Sequence, residues 1–263
     1  MKPAPFRYVR AESLDHALEA LAEDDAKALA GGQSLVPALN MRLVRPSVLV
    51  DINHVCDLGN TTVEDGALLV GAAVRQSDAR LLGHPLLAEA LPHVGHFVTR
   101  NRGTVGGSIA HADPAAELAV CFALVGGSVR ARTASAEREI AAADFFLAPY
   151  TSALGQGELV VETRWPAPDP GWGYAFCELA QRRGDYALCM AAAAARGDEV
   201  RVALGAVVDR PTLVEVDPEH PGESAAAQVE PWGTMHASPA YLKQLVRELV
   251  DRAVGRARER SAA

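Results

Sequence analysis

Two short segments with paired glycines next to small hydroxyl residues are the strongest candidates for binding chemistry in this chain. The first loop spans residues 30–35 (AGGQSL) and the second loop spans residues 103–109 (GTVGGSI). Glycine has no Cβ and reaches positive φ easily, so consecutive backbone N–H groups in such a loop can converge on one anion. A helix that begins after Ser34 adds the partial positive charge of its first turn. Thr104 and Ser108 offer further hydroxyl groups.

A diphosphate carries negative charge on two linked groups, and two such loops could hold it from both sides. Each hydrogen bond to a charged group contributes about 1.5–3 kcal/mol, so a handful would bind a dinucleotide without a lysine. Neither loop contains Lys, so the Walker A pattern is absent and ATP hydrolysis is disfavoured; the Rossmann GxGxxG pattern is absent as well. Paired glycines also occur in ordinary turns, and the spacing alone does not name a ligand.

The composition is that of a globular protein. Of 263 residues, 49% are hydrophobic and 22% are charged, a length that fits one large domain or two to three small ones. The net charge of −8 disfavours nucleic acid as a partner. The longest apolar stretch, residues 187–195, is too short to span a bilayer, and the first residues lack the apolar core of a secretory signal. We therefore expect a cytoplasmic protein without membrane insertion.

The cysteines and histidines give no sign of a metal centre. The four cysteines have no CxxC spacing, so we expect free, buried thiols and neither an iron–sulfur cluster nor a zinc site in this chain. His111 and Asp113 lie two residues apart, which is too few ligands for a metal; they are better explained as groups that cap the turn before Pro114. Asp185 is expected to form an ion pair with one of the arginines at 182–183.

The first loop sits in a predicted strand–turn–helix–strand unit. Ser13 is placed to cap a helix with an apolar face, a short extended segment covers 27–30, and a second helix is predicted around 35–43. The apolar run at 48–52 predicts a buried strand. This order places a ligand at the turn, within an N-terminal α/β unit of residues 1–55.

The second loop lies in a longer middle unit. Strands are predicted at 67–72 and 159–165, and a helix is predicted at 86–94. The glycine-dense residues 100–108 are predicted to form a loop. The Pro/Gly run at 166–171 marks a boundary, so this second α/β unit covers residues 56–170.

The C-terminal region, residues 171–263, is predicted to be α+β. Strands are expected at 174–179 and 200–208, and an irregular loop at 217–237. Residues 187–195 are alanine-rich and are compatible with either a helix or a short strand. Ser238 and Pro239 begin a long amphipathic helix.

The two loops resemble the signature of the FAD-binding medium subunits of molybdenum hydroxylases, the family of the carbon monoxide dehydrogenase medium subunit and the xanthine dehydrogenase flavin domain. The first loop matches the AGG(H/Q)SL pattern of the family. The second matches a longer pattern at Arg100, Asn101, Gly103, Thr104, Gly106, Gly107, Ile109, Pro114 and Glu117. The RRGDYA segment at 182–187 and the pair Ser238 and Tyr241 resemble further family elements, so the similarity covers nearly the whole chain.

The resemblance implies an α+β fold and an FAD site. Two α/β subdomains would clamp FAD, as in the vanillyl-alcohol-oxidase-like, PCMH-type flavin fold, and a C-terminal α+β domain with a small antiparallel sheet would pack beside it. Glu117 would accept hydrogen bonds from FAD hydroxyls, Leu159 would contact the flavin ring through its backbone, and Tyr186 would lie close to the isoalloxazine. The residues implied in FAD binding are Ala30, Gly31, Gly32, Gln33, Ser34, Leu35, Asn101, Gly103, Thr104, Gly106, Gly107, Ser108, Glu117, Leu159 and Tyr186.

The resemblance further implies an oxidoreductase subunit without catalytic side chains or metal ligands of its own. Electrons would come from two [2Fe–2S] clusters on a small partner chain, which a large molybdenum-cofactor chain would reduce. They would leave to NAD⁺, a quinone or oxygen. Two alternatives stay open: a stand-alone FAD-dependent oxidoreductase, and a scaffold that has lost FAD. On this reading, Gly106→Val would expel the flavin by placing a side chain where phosphate approaches, and Tyr186→Ala would change flavin reduction more than flavin affinity.

Overall fold

The structure is a computed structural model that describes residues 2–262. Its N-terminal part is a three-stranded parallel sheet with two helices. The strands are β1 (Arg7–Arg10), β2 (Ala26–Leu29) and β3 (Val48–Asp51), in the order β1-β3-β2, and the helices are α1 (Leu14–Leu21) and α2 (Leu35–Asn40). Ser13 caps α1 by accepting a hydrogen bond from the His16 amide at 3.1 Å. Because the strands are parallel, the segments that follow β2 and β3 emerge at the same edge of the sheet.

The middle part is built on a five-stranded antiparallel sheet. Its strands are β4 (Thr61–Glu64), β5 (Ala67–Gly71), β6 (Ser128–Arg132), β7 (Glu137–Ala141) and β10 (Leu159–Trp165), in the order β4-β5-β10-β6-β7, while β8 (Phe146–Ala148) and β9 (Thr151–Ser152) form a separate hairpin. The helices are α3 (Pro85–Ala90), α4 (Phe97–Arg100), α5 (Val105–His111), α6 (Glu117–Leu124) and α7 (Ala142–Phe145), with 3-10 turns at Cys56–Gly59 and Ala79–Gly83. Helix α5 packs on β10 and carries the second loop into this unit.

The C-terminal part is a four-stranded antiparallel meander with two helices. The strands are β11 (Gly173–Ala180), β12 (Ala187–Arg196), β13 (Glu199–Gly205) and β14 (Thr212–Val214), and the helices are α8 (Pro221–Ala227) and α9 (Pro239–Ser261). Helix α9 begins where Ser238 and Pro239 predict it to begin, and the Ser238 hydroxyl accepts from the Tyr241 amide at 3.2 Å.

The alanine-rich segment is a strand with both faces buried. Alternate residues of β12 point to opposite sides of the sheet. Met190, Ala192 and Ala194 belong to the core that includes the middle unit, while Ala191 and Ala193 belong to the core under α9. Small side chains on both faces let a helical layer approach the sheet from each side, which explains why alanine fills a strand here despite its helical propensity.

Several sequence expectations are wrong in detail. Residues 105–108, expected in a loop, belong to α5, because Thr104 caps a helix that includes the paired glycines. Residues 221–227, expected to be irregular, form α8, which packs on α9. The helices predicted at 35–43 and 86–94 end earlier, at Asn40 and Ala90.

The structure also bears on the expected state of the cysteines and on whether a helix could span a membrane. All four cysteines are free; three are buried as expected, but Cys56 is exposed. Within residues 2–262, none of the helices combines the length and the apolar character needed to cross a membrane.

Candidate functional site

The two glycine loops contact each other directly through their backbones. A Cβ placed on Gly31 would lie 2.7 Å from the Cα of Gly103 and would also collide with the carbonyl of Arg102. A Cβ placed on Gly107 would lie 3.6 Å from the Cβ of Ala30. Segments about 70 positions apart in the chain therefore meet at one place, with no space for a side chain between them.

The first loop turns sharply between β2 and α2. Gly32 has a φ of 73°, which favours glycine, and its carbonyl accepts from the Val36 amide at 3.0 Å to begin the helix. The Gln33 side chain donates from Nε2 to the carbonyl of Gly31 at 3.3 Å. Ser34 is the helix N-cap, but its exposed hydroxyl makes no capping bond to the described chain, so it stays free for a ligand.

Leu35, Asn101 and Leu159 occupy three different positions around the loops. Leu35 is half-buried at the first position of α2, and Asn101 is exposed at the end of α4. Leu159 is buried at the start of β10, where it pairs with Arg132 of β6. All three lie on elements adjoining one loop or on the sheet beneath α5, and their contact with FAD remains a prediction.

The second loop forms the first turn of helix α5. The Gly103 amide donates to the carbonyl of Thr99 at 2.6 Å, and Thr104 caps the helix by accepting from the Gly107 amide at 3.0 Å. The side-chain oxygen of Thr104 is therefore used as a helix cap within the protein. Gly107 and Ser108 are half-buried, so their main chain reaches the surface beside the first loop.

Gly106 faces the protein interior rather than a ligand. A Cβ on this residue would lie 2.6 Å from the Cα of Ala72, just after β5. We expected glycine at position 106 because a side chain there would block an approaching phosphate, and this explanation is wrong. The missing side chain makes room for the backbone of Ala72.

A half-buried polar network missed by sequence reasoning links the two loops. Asn53 donates from Nδ2 to the carbonyl of Ala30 at 2.8 Å and to Asp51 Oδ1 at 2.6 Å. Arg75 donates to Asn53 Oδ1 at 2.6 Å and also to the carbonyl of Arg102, directly before the second loop. Burial alone would raise the pKa of Asp51, but hydrogen bonds from Tyr8 and Asn53 outweigh it and lower that pKa. The only available signal was an Asp and an Asn directly after a buried strand.

Glu117 and Tyr186 both have a raised pKa. Glu117 begins α6, is only 8% exposed, and has its pKa raised to about 7 by burial and by the charge of Asp113. Tyr186 is 70% exposed as a residue, but partial burial of its hydroxyl and the charges of Asp113 and Glu117 raise its pKa. A Cβ on Gly184 would lie 2.6 Å from the His96 ring, so the tip of the β11–β12 hairpin rests on the start of α4.

Two smaller expectations have opposite outcomes. Asp113 does cap its turn, because its Oδ1 accepts from the Ala115 amide at 2.9 Å. Asp185 makes no ion pair with any described residue, so its expected pairing with a neighbouring arginine is wrong. Across residues 2–262, no group of three or more His, Cys, Asp or Glu side chains is arranged to hold a metal ion.

One cavity in the fold lies away from the two loops. It has a volume of about 110 Å³ and is bordered by Leu14, Leu58, Arg130 and Glu162. The loops instead present main chain, the Ser34 hydroxyl and the half-buried residues 107–108 at the surface. The main-chain N–H groups of residues 32–35 make no hydrogen bond to the described residues, so the first loop offers free donors that fit the diphosphate of a dinucleotide.

Comparison with known proteins identifies the family. The model of the FAD binding domain in molybdopterin dehydrogenase matches residues 4–168. The alpha subunit of the 6-hydroxypseudooxynicotine dehydrogenase complex of Paenarthrobacter nicotinovorans is 38% identical over 288 aligned positions, covering 99% of this chain and 97% of that protein. The glyceraldehyde dehydrogenase medium chain of Sulfolobus acidocaldarius is 33% identical, covering 96% and 98%.

Solved structures agree with this relationship. Quinoline 2-oxidoreductase from Pseudomonas putida 86 matches with a TM-score of 0.92 and 34% identity over 100% of both chains. Carbon monoxide dehydrogenase from Hydrogenophaga pseudoflava matches with a TM-score of 0.91 and 29% identity over 98% of both chains. The predicted α+β fold class, the family resemblance and FAD as the cofactor are thereby confirmed. The chain belongs to the FAD-binding medium subunits of molybdenum hydroxylase-type dehydrogenases.

Proposed function

We propose that this subunit holds FAD as an electron-transfer site between partner chains. Electrons enter from [2Fe–2S] clusters on a small subunit, which a large molybdenum-cofactor subunit reduces, and leave to NAD⁺, a quinone or oxygen. The observation that carries the proposal is the backbone contact of Gly31 with Gly103, because it joins two anion-binding loops into one cradle. Bound FAD supplies the redox chemistry, and the protein holds and tunes it.

The residues assigned to FAD divide into two groups. Residues 30–35 and 103–108, with Asn101, are assigned to the diphosphate. The donors are the Ser34 hydroxyl and the main-chain N–H groups of residues 32–35, which make no hydrogen bond to the described residues. Glu117, Leu159 and Tyr186 lie toward the ribityl chain and the flavin ring. The three larger sheets support a division at residues 1–55, 56–170 and 171–263, with the cradle at the contact between the first two units and the hairpin tip of the third beside it.

A matched pair of glycine variants tests the cradle. In Gly31→Ala the new Cβ collides with the Gly103 backbone, and we expect at least tenfold weaker FAD binding. Gly59→Ala is the control, because a Cβ there meets nothing within 4 Å. FAD retained after gel filtration is measured by visible absorbance, and circular dichroism verifies that both variants fold. Full FAD occupancy in a folded Gly31→Ala protein would contradict the cradle.

Ser34→Ala provides a milder test that leaves the loop contact intact. Its hydroxyl is exposed and makes no capping bond within the described residues, so a loss of FAD affinity reports a direct ligand contact. Unchanged affinity would remove Ser34 from the site.

Purification of the tagged chain from its native host tests the electron route. We expect it to bring down a large and a small chain with molybdenum and iron, and addition of the oxidisable substrate under anaerobic conditions should bleach the flavin absorbance. The alternative, a stand-alone oxidoreductase, predicts a lone FAD-containing chain that turns over with NADH. The relatives named as subunits, which this chain matches over nearly their full length, favour the complex.

A further inference from the structure

Tyr150 places a large aromatic side chain at a backbone position that favours glycine. It forms the two-residue turn of the β8–β9 hairpin together with Pro149, between the paired residues Ala148 and Thr151. Its φ is 55°, a left-handed conformation that bulky residues rarely adopt because the Cβ crowds the backbone. Glycine would form the same turn without this strain. The geometry of the turn therefore does not explain why a tyrosine stands there.

The packing of the protein does not explain the tyrosine either. Tyr150 is 63% exposed, and its hydroxyl makes no hydrogen bond to any residue between 2 and 262. By contrast, the hydroxyl of the buried Tyr174 accepts from the Asp169 amide at 3.0 Å. Residues held in strained backbone conformations cluster at ligand-binding sites. An exposed ring on a strained turn therefore indicates a contact with something other than the chain itself.

The backbone of Tyr150 is bonded to the helix that begins at the second glycine loop. The Tyr150 amide donates to the carbonyl of Ala112 at 2.9 Å. Ala112 ends α5 and is also left-handed, with a φ of 51°, so two strained non-glycine residues meet at the C-terminal end of this helix. Strand β9 of the same hairpin packs on α5. The position of Tyr150 is therefore fixed relative to the helix that carries the second loop.

The Tyr150 ring contacts the face of α5 that is directed toward the first loop. The ring centroids of Tyr150 and His111 are 5.2 Å apart, with the planes inclined at 46°. His111 follows Gly107 by four residues, so the two share one helix face and lie about 6 Å apart along the axis. A Cβ on Gly107 would lie 3.6 Å from the Cβ of Ala30, which directs this face to the first loop. The two rings therefore lie one helical turn beyond the cradle.

The direction from the cradle to these two rings is also the direction of the residues assigned to the flavin end of FAD. After Ala112 the chain turns and reaches Glu117 at the start of α6. Helix α5 itself packs on β10, which begins at Leu159. Glu117 and Leu159 are assigned to the ribityl chain and the flavin ring. A dinucleotide held by its diphosphate at the first turn of α5 would extend past the end of this short helix.

Resting on the proposed function, we propose that Tyr150 is a further FAD-contacting residue, whose ring packs against the isoalloxazine while His111 holds that ring in place. Aromatic side chains pack favourably on planar ring systems. The contact forms only when FAD is bound, so it offsets the strain of the turn in the complex and not in the cofactor-free chain. Partial burial and the charge of Asp113 raise the pKa of Tyr150, so its hydroxyl stays neutral.

The test replaces Tyr150 with the residue that the turn favours. Because Tyr150→Gly removes the strain, we expect the folding equilibrium constant of the cofactor-free chain to rise about two- to fivefold in urea unfolding. FAD binding should weaken about fivefold or more, because the ring contact is lost. Tyr150→Phe keeps the ring and should bind FAD like wild type. A cofactor-free Tyr150→Gly chain less stable than wild type would assign the ring to the fold and overturn the inference.

Asp65→Gly is the matched control for the change in backbone strain. Asp65 has a φ of 48° in the two-residue turn of the β4–β5 hairpin and is exposed. This variant removes the same kind of strain without removing an aromatic ring, so FAD affinity should stay at the wild-type value. A loss of FAD affinity equal to that of Tyr150→Gly would attribute the effect to turn flexibility and overturn the inference.

Competition with ADP identifies which end of FAD the ring contacts. ADP carries the diphosphate and the adenine but no flavin, so Tyr150→Gly should leave the affinity for ADP unchanged. Equal losses of ADP and FAD affinity would place the ring on the adenine and overturn the assignment to the flavin. Wild-type FAD affinity in Tyr150→Gly would overturn the inference alone, whereas a wild-type chain that binds no FAD would contradict the proposed function itself.

Discussion

Asn53 and Arg75 form a hydrogen bond of 2.6 Å that joins the supports of the two glycine loops. Asn53 also holds the carbonyl of Ala30, and Arg75 also holds the carbonyl of Arg102. Neither residue belongs to a glycine loop. Asn53 supports the first loop, Arg75 supports the backbone next to the second loop, and the two side chains are bonded to each other. The spacing of the cradle is therefore set by a side-chain pair as well as by the missing Cβ atoms.

Replacing Asn53 with alanine should loosen the cradle without unfolding the chain. The change removes the bonds to Ala30 and Arg75 and leaves the guanidinium short of a partner, a loss of about 1–3 kcal/mol. We expect FAD binding to weaken about tenfold or more, measured as quenching of flavin fluorescence during titration of the cofactor-free protein. Asn60→Ala, at an exposed position, is the control. Equal affinity in the two variants would mean that the network does not support the site.

Substitution of Gly106 should destabilise the cofactor-free protein as well as the complex with FAD. An alanine Cβ would lie 2.6 Å from Ala72 and force α5 away from the end of β5. We expect a loss of about 1–3 kcal/mol in urea unfolding without FAD. Gly83→Ala, where a Cβ meets nothing within 4 Å, should be near neutral. Normal stability without FAD, combined with lost FAD binding, would restore the phosphate explanation.

His84 should make the fold sensitive to mild acid. The ring is buried near Trp165 and Tyr174, neither nitrogen makes a well-formed hydrogen bond to a described residue, and burial lowers its pKa below 6.5. Below pH 6.5 the His84 ring therefore binds a proton in the unfolded chain but not in the folded chain. The free energy of unfolding is highest above pH 6.5 and decreases as the pH falls from 6.5 to the pKa of His84 in the folded chain. The slope is at most about 1.4 kcal/mol per pH unit. His84→Phe should flatten this decline in thermal melts between pH 7 and 5; an unchanged decline would assign it to other groups.

Tyr186→Ala should change flavin reduction more than flavin affinity. The side chain is exposed at a hairpin tip, so its loss removes little packing. We expect FAD affinity within threefold of wild type and an altered reduction rate or midpoint potential. Tyr241→Ala, on the first turn of α9 and also exposed, is the matched aromatic control. Identical reduction kinetics in both variants would exclude Tyr186 from the ring environment.

Sequence patterns predicted the helices and strands best where interactions between neighbouring residues determine the structure. Ser238 followed by Pro239 predicts the start of α9 because capping and proline geometry act within one turn. The strand at 159–165 is confirmed at both ends. The alanine-rich strand β12 remained ambiguous because alanine favours helix, and only the two layers that pack on it decide in favour of a strand.

The glycine loops of the site could be predicted from the sequence, but the side chains that hold these loops in place could not. Gly31 and Gly103 are recognisable as glycines, whereas Asn53 and Arg75 are ordinary polar residues whose roles come from long-range contacts. The helix at Gly106 and Gly107 was missed because paired glycines are discounted in helices, although Thr104 caps it.

The contact of Gly31 with Gly103 has a consequence for how the cofactor and the polypeptide depend on each other. A ligand held by both loops binds only when two separately encoded sheets are assembled, so its binding energy adds to the cohesion between them. On the proposed site, FAD would therefore brace this subunit structurally, and scarcity of the cofactor would leave the junction between its first two sheets as the weakest place in the molecule.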